Sequence, residues 1–303
     1  MPEPSSTHAG KSGLVLSTAL GQHPHVAPLR DGRVSSTIVE LQFAELPNIN
    51  RAFAPMVREQ TYDVSEIAIA TFLQAKSYAK PLVLLPVVVA ARFQEAALLC
   101  AADGEIRGPQ DLKGKRVGVR AYSQTTGMWI RGILRERYGI DAADVRWTTF
   151  EDAHVAEYRD PPWATRAEPG SDLVSMLKAG KLDAIIVGTD VPADPALRPV
   201  FPDPAASGEQ FWSDHGIVPI NHMVAVRQDV ADAHPQAVHE ILRMLDAGKT
   251  LGARPQVRDP LLRGKDALEP CLALALRYVS EQGLLARPMT IPDIWQGLPE
   301  GVG

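Results

Sequence analysis

The sequence predicts an α/β chain of two lobes with a ligand cleft between them, and three observations carry that expectation. Strand-like and helix-like segments alternate almost throughout, the rhythm restarts after Arg92, and the chain closes with one strand and helices too few to build a third unit. In the first run, LVLSTAL (14–20), IVELQFA (38–44), a helical stretch from Asn48 to Glu59, YDVSEIAIATFLQAK (62–76) and PLVLLPVVV (81–89) follow a βαβ pattern. The second run comprises AALLCAA (96–102), KRVGVR (115–120) and its helix, VRWTTF (145–150), the helix DLVSMLKAG (172–180) and LDAIIVG (182–188). Pro and Gly make 189–210 a loop, IVPINHMVAV (217–226) is a further strand, and helices are expected around 229–251 and 266–283. Such a chain returns to finish its first unit and crosses between lobes near Phe93–Ala97 and His215–Pro219. The expected division is a flexible leader at 1–11, lobe 1 from 12–94 with 219–303, and lobe 2 from 95–218. Periodicity leaves a single doubly wound sheet open as the alternative.

Bulk properties narrow the function. A chain of 303 residues with 45% hydrophobic content buries a large core, and a net charge of −5 without a basic run argues against nucleic acid as a partner. Cys100 and Cys271 are far apart and lack neighbours at metal-ligand spacing, so buried thiols are expected. The N-terminus has one lysine before an apolar run that Ser17 and Thr18 interrupt, which makes a poor signal peptide. PLVLLPVVVAA (81–91) is too short to span a bilayer and is broken by Pro86, so no membrane partner and a cytoplasmic location are expected.

The stretch KRVGVRAYSQTTGMWIRGIL (115–134) passes from a strand alternation at Val117 and Val119 through a polar turn into a helix. Ser123, Gln124, Thr125 and Thr126 lie at that helix N-terminus, where free amides and the helix dipole favour an anion. Ser and Thr are also ordinary N-caps, and this reading stands beside the first.

With these segments in place, the chain resembles a known family. GPQDLKGKRVGV (108–119) followed by a polar turn and helix looks like the second lobe of type 2 periplasmic-binding-protein folds. More narrowly, the chain is similar to the 4,5-dihydroxyphthalate decarboxylase family at LRDGRV (29–34), YDVSE (62–66), 106–134, YGIDAADVRW (138–147), IVPINHMVAV (217–226) and YVSEQGL (278–284). The resemblance implies a two-lobed, cytoplasmic carboxy-lyase acting on a small hydroxylated aromatic dicarboxylate without an organic cofactor. There is one departure: where the family usually carries an Arg-His pair after a phenylalanine, this chain has Gln94 and Glu95. If the lost pair touches substrate, a different substrate follows, because Glu95 would repel a second carboxylate.

Removing carbon dioxide from an arene carboxylate requires a place for the electron pair. Protonating the ring carbon first provides it, so the enzyme needs a proton donor over the ring, an acceptor at the phenol and a grip on the retained carboxylate. His222, in the returning strand and within the matching stretch, is the expected donor. Glu66 is the expected acceptor of the phenolic proton, a helix-initiating carboxylate being the alternative. Glu95 is a third catalytic candidate. Arg92, at the first crossing, and the Ser123–Thr126 turn are expected to hold the carboxylate, with Ser65, Tyr122, Arg131 and His154 as further candidate contacts. For Arg131 a solvated helix arginine, and for His154 a surface loop histidine, are the alternatives. His23 and His25 resemble a metal-binding fragment only faintly, and no metal is assigned. Trp129, Trp147, Trp163 and Trp212 read as core residues before ligand-stacking ones. Two rival functions remain: a binding module using the same cleft without chemistry, and another cytoplasmic enzyme on this fold, such as a dehydratase or biosynthetic lyase. Homo-oligomer formation is left open.

Overall fold

The computed structural model describes residues 13–189, 191–254 and 256–302; the leader expected at 1–11 lies outside them. The chain begins with β1 (Leu14–Ala19), α1 (Ala27–Arg30), β2 (Val39–Phe43), α2 (Asn50–Glu59), β3 (Val64–Ala68), α3 (Ile69–Ser77) and β4 (Leu82–Ala91). Next come β5 (Leu98–Ala101), β6 (Arg116–Val119), α4 (Thr125–Tyr138), β7 (Arg146–Thr149) and β8 (Ala164–Arg166), then α5 (Leu173–Lys178), β9 (Ala184–Ile186), β10 (Leu197–Pro199) and α6 (Pro204–His215). β11 (Ile220–Arg227), α7 (Gln228–Ala233), α8 (Pro235–Gly252), α9 (Lys265–Glu281) and α10 (Ile291–Ile294) complete it.

These strands form two sheets, ordered β2-β1-β3-β11-β4 and β10-β5-β9-β6-β7-β8, which excludes the single doubly wound sheet. β11 inserts antiparallel between β3 and β4, so a strand from late in the chain closes the first sheet. The chain leaves that sheet after Ala91 and returns to it at Ile220, and the two crossings are tied together. The Arg92 amide donates to Pro219 O at 3.1 Å, and the Gln94 and Asn221 side-chain amides pair, Gln94 Nε2 donating to Asn221 Oδ1 at 2.9 Å.

One difference from the sequence reading falls in 189–210. α6 starts inside this supposed loop, because Asp203 accepts the Ala206 amide as an N-cap and Pro204 takes the first helical position, where its missing N–H costs nothing. Among the described residues no helix is long and apolar enough to cross a membrane.

α9 packs on both α3 and α4, and so braces the helix that opens at the polar turn. The close approach is made at Gly132, where a Cβ would stand 2.0 Å from the Tyr278 ring. Tyr278 is fully buried and its hydroxyl donates to Glu136 Oε2 at 2.5 Å, so the ring has little freedom to retreat. Gly132→Ala should therefore lower stability by about 1–3 kcal/mol despite alanine's better helix propensity. Urea unfolding measures this, and a stabilised variant would mean that α9 yields readily.

Candidate active site

The site begins with strand register. Glu66 of β3 lies opposite Val224 of β11, so His222, two residues away on the same face, is its diagonal neighbour. His222 Nδ1 donates to Glu66 Oε1 at 2.7 Å. Pairing between β11 and β4 slips three times from Ile220 to Val224, an irregularity of the kind that re-aims a side chain. β1 runs parallel to β3 with Ala19 level with Ser65, which carries the following residues past the same carboxylate. The Gly21 amide donates to Glu66 Oε2 at 2.8 Å, and His23 Nε2 lies 3.0 Å from each carboxylate oxygen. Gly21 is required by space: a Cβ there would stand 2.7 Å from His23 Nε2 and 3.0 Å from Glu66 Oε2.

Glu66 is wholly buried, with 0% exposure. Burial alone would raise its pKa, but the hydrogen bonds and charges of His222 and His23 outweigh this and hold the carboxyl well below the usual carboxylate range. Burial pulls the His23 pKa down; the hydrogen bond and charge of Glu66 prevail over this and a smaller push from Arg30, and the pKa ends raised. His25 stacks on His23 with ring centroids 5.1 Å apart, and burial, then the charges of His23 and Arg263, lower its pKa to about 4.

His23 and His222 line a cleft of about 1340 Å³ between the sheets. Its opposite wall comes from the C-terminal ends of second-sheet strands: Arg120 and Gln124 after β6, Phe150 and Glu151 after β7, Gly188 and Thr189 after β9. Strand C-termini are where parallel sheets place ligands. Arg92 lines the cleft from the first crossing, where Nη2 donates to Gly188 O at 3.1 Å and to Thr126 Oγ1 at 3.4 Å. Among the described residues no carboxylate pairs with it, whereas Arg120 in the same cleft is held by Glu151 at 2.9 Å. Beside Arg92, α4 starts at Gln124 with no side-chain cap, and Gln124 Oε1 is buried without a partner.

The structure thus brings His222, Arg92 and Gln124 to one cleft and places other expected contacts elsewhere. Glu66 touches both imidazoles but is sealed from the cleft, so it does not accept a phenolic proton directly. Ser123, Thr125 and Thr126 are buried off the cleft lining, and Thr125 Oγ1 accepts the Ala70 amide at 3.2 Å, capping α3 instead of a ligand. Ser65 Oγ donates to Glu66 O at 2.8 Å. Arg131 is neither solvated nor a clamp: its Nε donates to Gln282 Oε1 at 2.7 Å, its Nη2 to Tyr122 O at 2.6 Å, and its guanidinium lies 4.0 Å over the buried Tyr122 ring. Tyr122 accepts from Trp163 Nε1 at 3.0 Å and is equally remote from the cleft. Glu95 is buried, accepts the Gln94 amide at 2.9 Å and lies off the lining, as does Gln94. The charge argument against a second substrate carboxylate therefore lapses.

His154 pairs through Nδ1 with Thr71 Oγ1 at 2.8 Å and lies behind Phe53, which meets both His154 and His222 edge-on. None of the tryptophans lines the cleft. Among the described residues no group of three His, Cys, Asp or Glu side chains is placed to hold a metal ion. Sequence reasoning did not place His23 in the cleft, and the signal for it was its place just beyond a parallel strand's C-terminal end.

No protein-family model matches the chain. A 4,5-dihydroxyphthalate decarboxylase of Comamonas testosteroni is 27% identical over 297 residues, covering 94% of this chain and 86% of that protein. A second, from Pseudomonas putida, is 28% identical over 212 residues, covering 66% and 81%. The chain is similar to 4,5-dihydroxyphthalate decarboxylases. The resemblance read from the motifs is thereby borne out. Among solved structures, the periplasmic aliphatic sulphonate binding protein SsuA of Escherichia coli superposes with a TM-score of 0.61 at 15% identity, covering 95% of this chain and 99% of that one. A mutant of the desulfurization enzyme DSZB in complex with biphenyl-2-sulfinic acid gives 0.57 at 15% identity, covering 94% and 96%. At such identities these likenesses speak for the fold alone, which is periplasmic-binding-protein-like.

A pH dependence follows from the buried histidines. Burial, then the charges of Arg120, Arg58 and His222, lower the His154 pKa to about 3. In the unfolded chain His154 takes up a proton near 6.5, in the folded chain only much further into acid, so its contribution to stability is full above pH 6.5 and is lost as pH falls toward 3. His154→Asn keeps a polar atom for Thr71 and removes the titration. Between pH 6.5 and 4 the variant should lose less stability than the unaltered protein, as read by urea unfolding across a pH series. Equal slopes would mean that His154 titrates normally in the fold.

Proposed function

We propose that this protein is a carboxy-lyase that removes carbon dioxide from a hydroxylated aromatic dicarboxylate of the 4,5-dihydroxyphthalate type, in the cleft between its two sheets. The observation that carries the reading is the pairing, within one cleft, of an arginine lacking a carboxylate partner among the described residues with an imidazole backed by a buried carboxylate. The curated relatives support the same reading.

In this reading the retained carboxylate docks on Arg92, beside Gln124 and the uncapped start of α4, which fixes the ring. His222 directs Nδ1 to Glu66, and its Nε2 has no partner among the described residues. That atom delivers a proton to the ring carbon bearing the second carboxylate. The carbon–carbon bond then breaks, its electron pair restores the aromatic ring, and carbon dioxide departs. Glu66 fixes the imidazole's orientation, as a buried carboxylate does behind a catalytic histidine. A binding module would need the cation but not the carboxylate-backed imidazole. The working units are lobe 1, residues 12–94 with 219–303, and lobe 2, residues 95–218, closing on the ligand to exclude water. Both cysteines are buried free thiols, which suits a reducing cytoplasm.

Two variants test the reading with 4,5-dihydroxyphthalate and a panel of related diacids. His222→Asn preserves a donor near the place of Nδ1 and should cut carbon dioxide release by about 10²–10⁴-fold with a much smaller change in binding. Arg92→Met should weaken binding by about 1.5–3 kcal/mol, the scale of a hydrogen bond to a charged group. Tight binding of the panel by the unaltered protein with no carbon dioxide released would sink the decarboxylase reading in favour of a binding protein.

A further inference from the structure

We propose that His23 is the second catalytic group of the cleft, taking through Nδ1 the proton of the ring hydroxyl para to the departing carboxylate while His222 gives its own proton to the ring carbon. The assignment rests on the decarboxylase reading and supplies the phenolic base which that reading lacks once Glu66 proves to be sealed. His23 lines the cleft, and its Nε2 is committed to Glu66. Its Nδ1 makes no hydrogen bond among the described residues and is not sealed from solvent, and the ring lines the cleft as well as a smaller hollow with Gln22 and Arg30. His222 Nε2 is in the same condition. Two imidazoles, each with one nitrogen unpaired among the described residues, therefore line one cleft and share one carboxylate.

The arrangement solves an electrostatic problem. A buried site resists any change in net charge. Here the proton leaving His222 for carbon is matched by a proton arriving on His23 from oxygen, so Glu66 faces one imidazolium before the step and one after it. Electrons balance as well. The oxygen that loses its proton pushes a pair into the ring, the ring carbon uses a pair to bind the proton of His222, and the pair of the broken carbon–carbon bond returns through the ring to that oxygen. His23 then gives the proton back to the phenolate, and His222 is recharged from water. The raised proton affinity of His23 suits a base. The charged and titratable groups that bear on it are Glu66, Arg30 and the stacked His25, which holds the ring plane.

The test uses His23→Gln, whose amide nitrogen falls near the place of Nε2 and retains a donor to Glu66. With the full-length protein, kcat for carbon dioxide release should fall by about 10²–10⁴-fold while KM changes only a few-fold. A ring-halogenated dihydroxyphthalate, already ionised at the assay pH, should recover most of the loss in H23Q and none of it in H222N. A merely structural His23 would give no such selective rescue. H23Q activity within threefold of the unaltered enzyme, or equal response of both variants to the acidic phenol, overturns the proposal. A second readout needs no turnover: 3,4-dihydroxybenzoate should bind the unaltered protein with the ultraviolet signature of a phenolate and bind H23Q without it. That signature in a protein that decarboxylates nothing would sink the decarboxylase reading and leave His23 a base; its persistence in H23Q would do the reverse.

Discussion

A carboxylate with no exposure to water governs the geometry around it. Buried charge is expensive unless paired and hydrogen-bonded, and Glu66 meets that demand with three donors from two other strands or their extensions. The chain beyond β1 must pass close enough to offer a backbone amide, which requires glycine at position 21. β11 must lie beside β3 in a register that sets His222 diagonal to the acid. Parallel β1 and β3 end together at this point, and antiparallel β11 begins there, so three chain segments meet where the sheet opens on the cleft. Any one donor withdrawn leaves the charge buried and short of a partner.

The two sheets contribute different things. The first supplies two imidazoles, His23 and His222, with Glu66 behind them. The second supplies a polar wall of strand ends and a helix start, with Arg92 reaching over from the crossing. The amide pair of Gln94 and Asn221 sits between them, two residues from Arg92 and one from His222 in sequence. Cation and imidazole are thus each one or two residues from the joint between the sheets.

The sequence disclosed the strand and helix rhythm because periodicity survives in single segments. The returning strand was legible because IVPINHMVAV stands apart from the helices after it. His222 and Arg92 were legible as residues of suitable chemistry near expected crossings. Other assignments failed for physical reasons. Thr125 looks like a helix cap or an anion ligand locally, but its hydroxyl serves an amide 55 positions away, which no local pattern encodes. Arg131 carries a charge that argues for solvent, yet the faces of Tyr122 and Trp147 cover it. His23 was hidden by Pro24 and His25, which suggested a metal fragment, because its partner is fixed only by sheet pairing. α6 was hidden by the density of Pro and Gly around its cap.

The closing of the first sheet by a strand from late in the chain has a consequence for biosynthesis. Glu66 and His222 are separated by 156 positions, so at roughly 5–20 residues per second a ribosome needs about 8–30 s to deliver the histidine after the acid. Throughout that interval β3 has no β11 beside it, and the nascent first sheet presents an open edge. The strands of the second sheet emerge within the same window. The cluster of Glu66 with its two imidazoles is consequently among the last parts of the molecule to assemble, and a growing polypeptide acquires it only after the opposite wall of the cleft has been made.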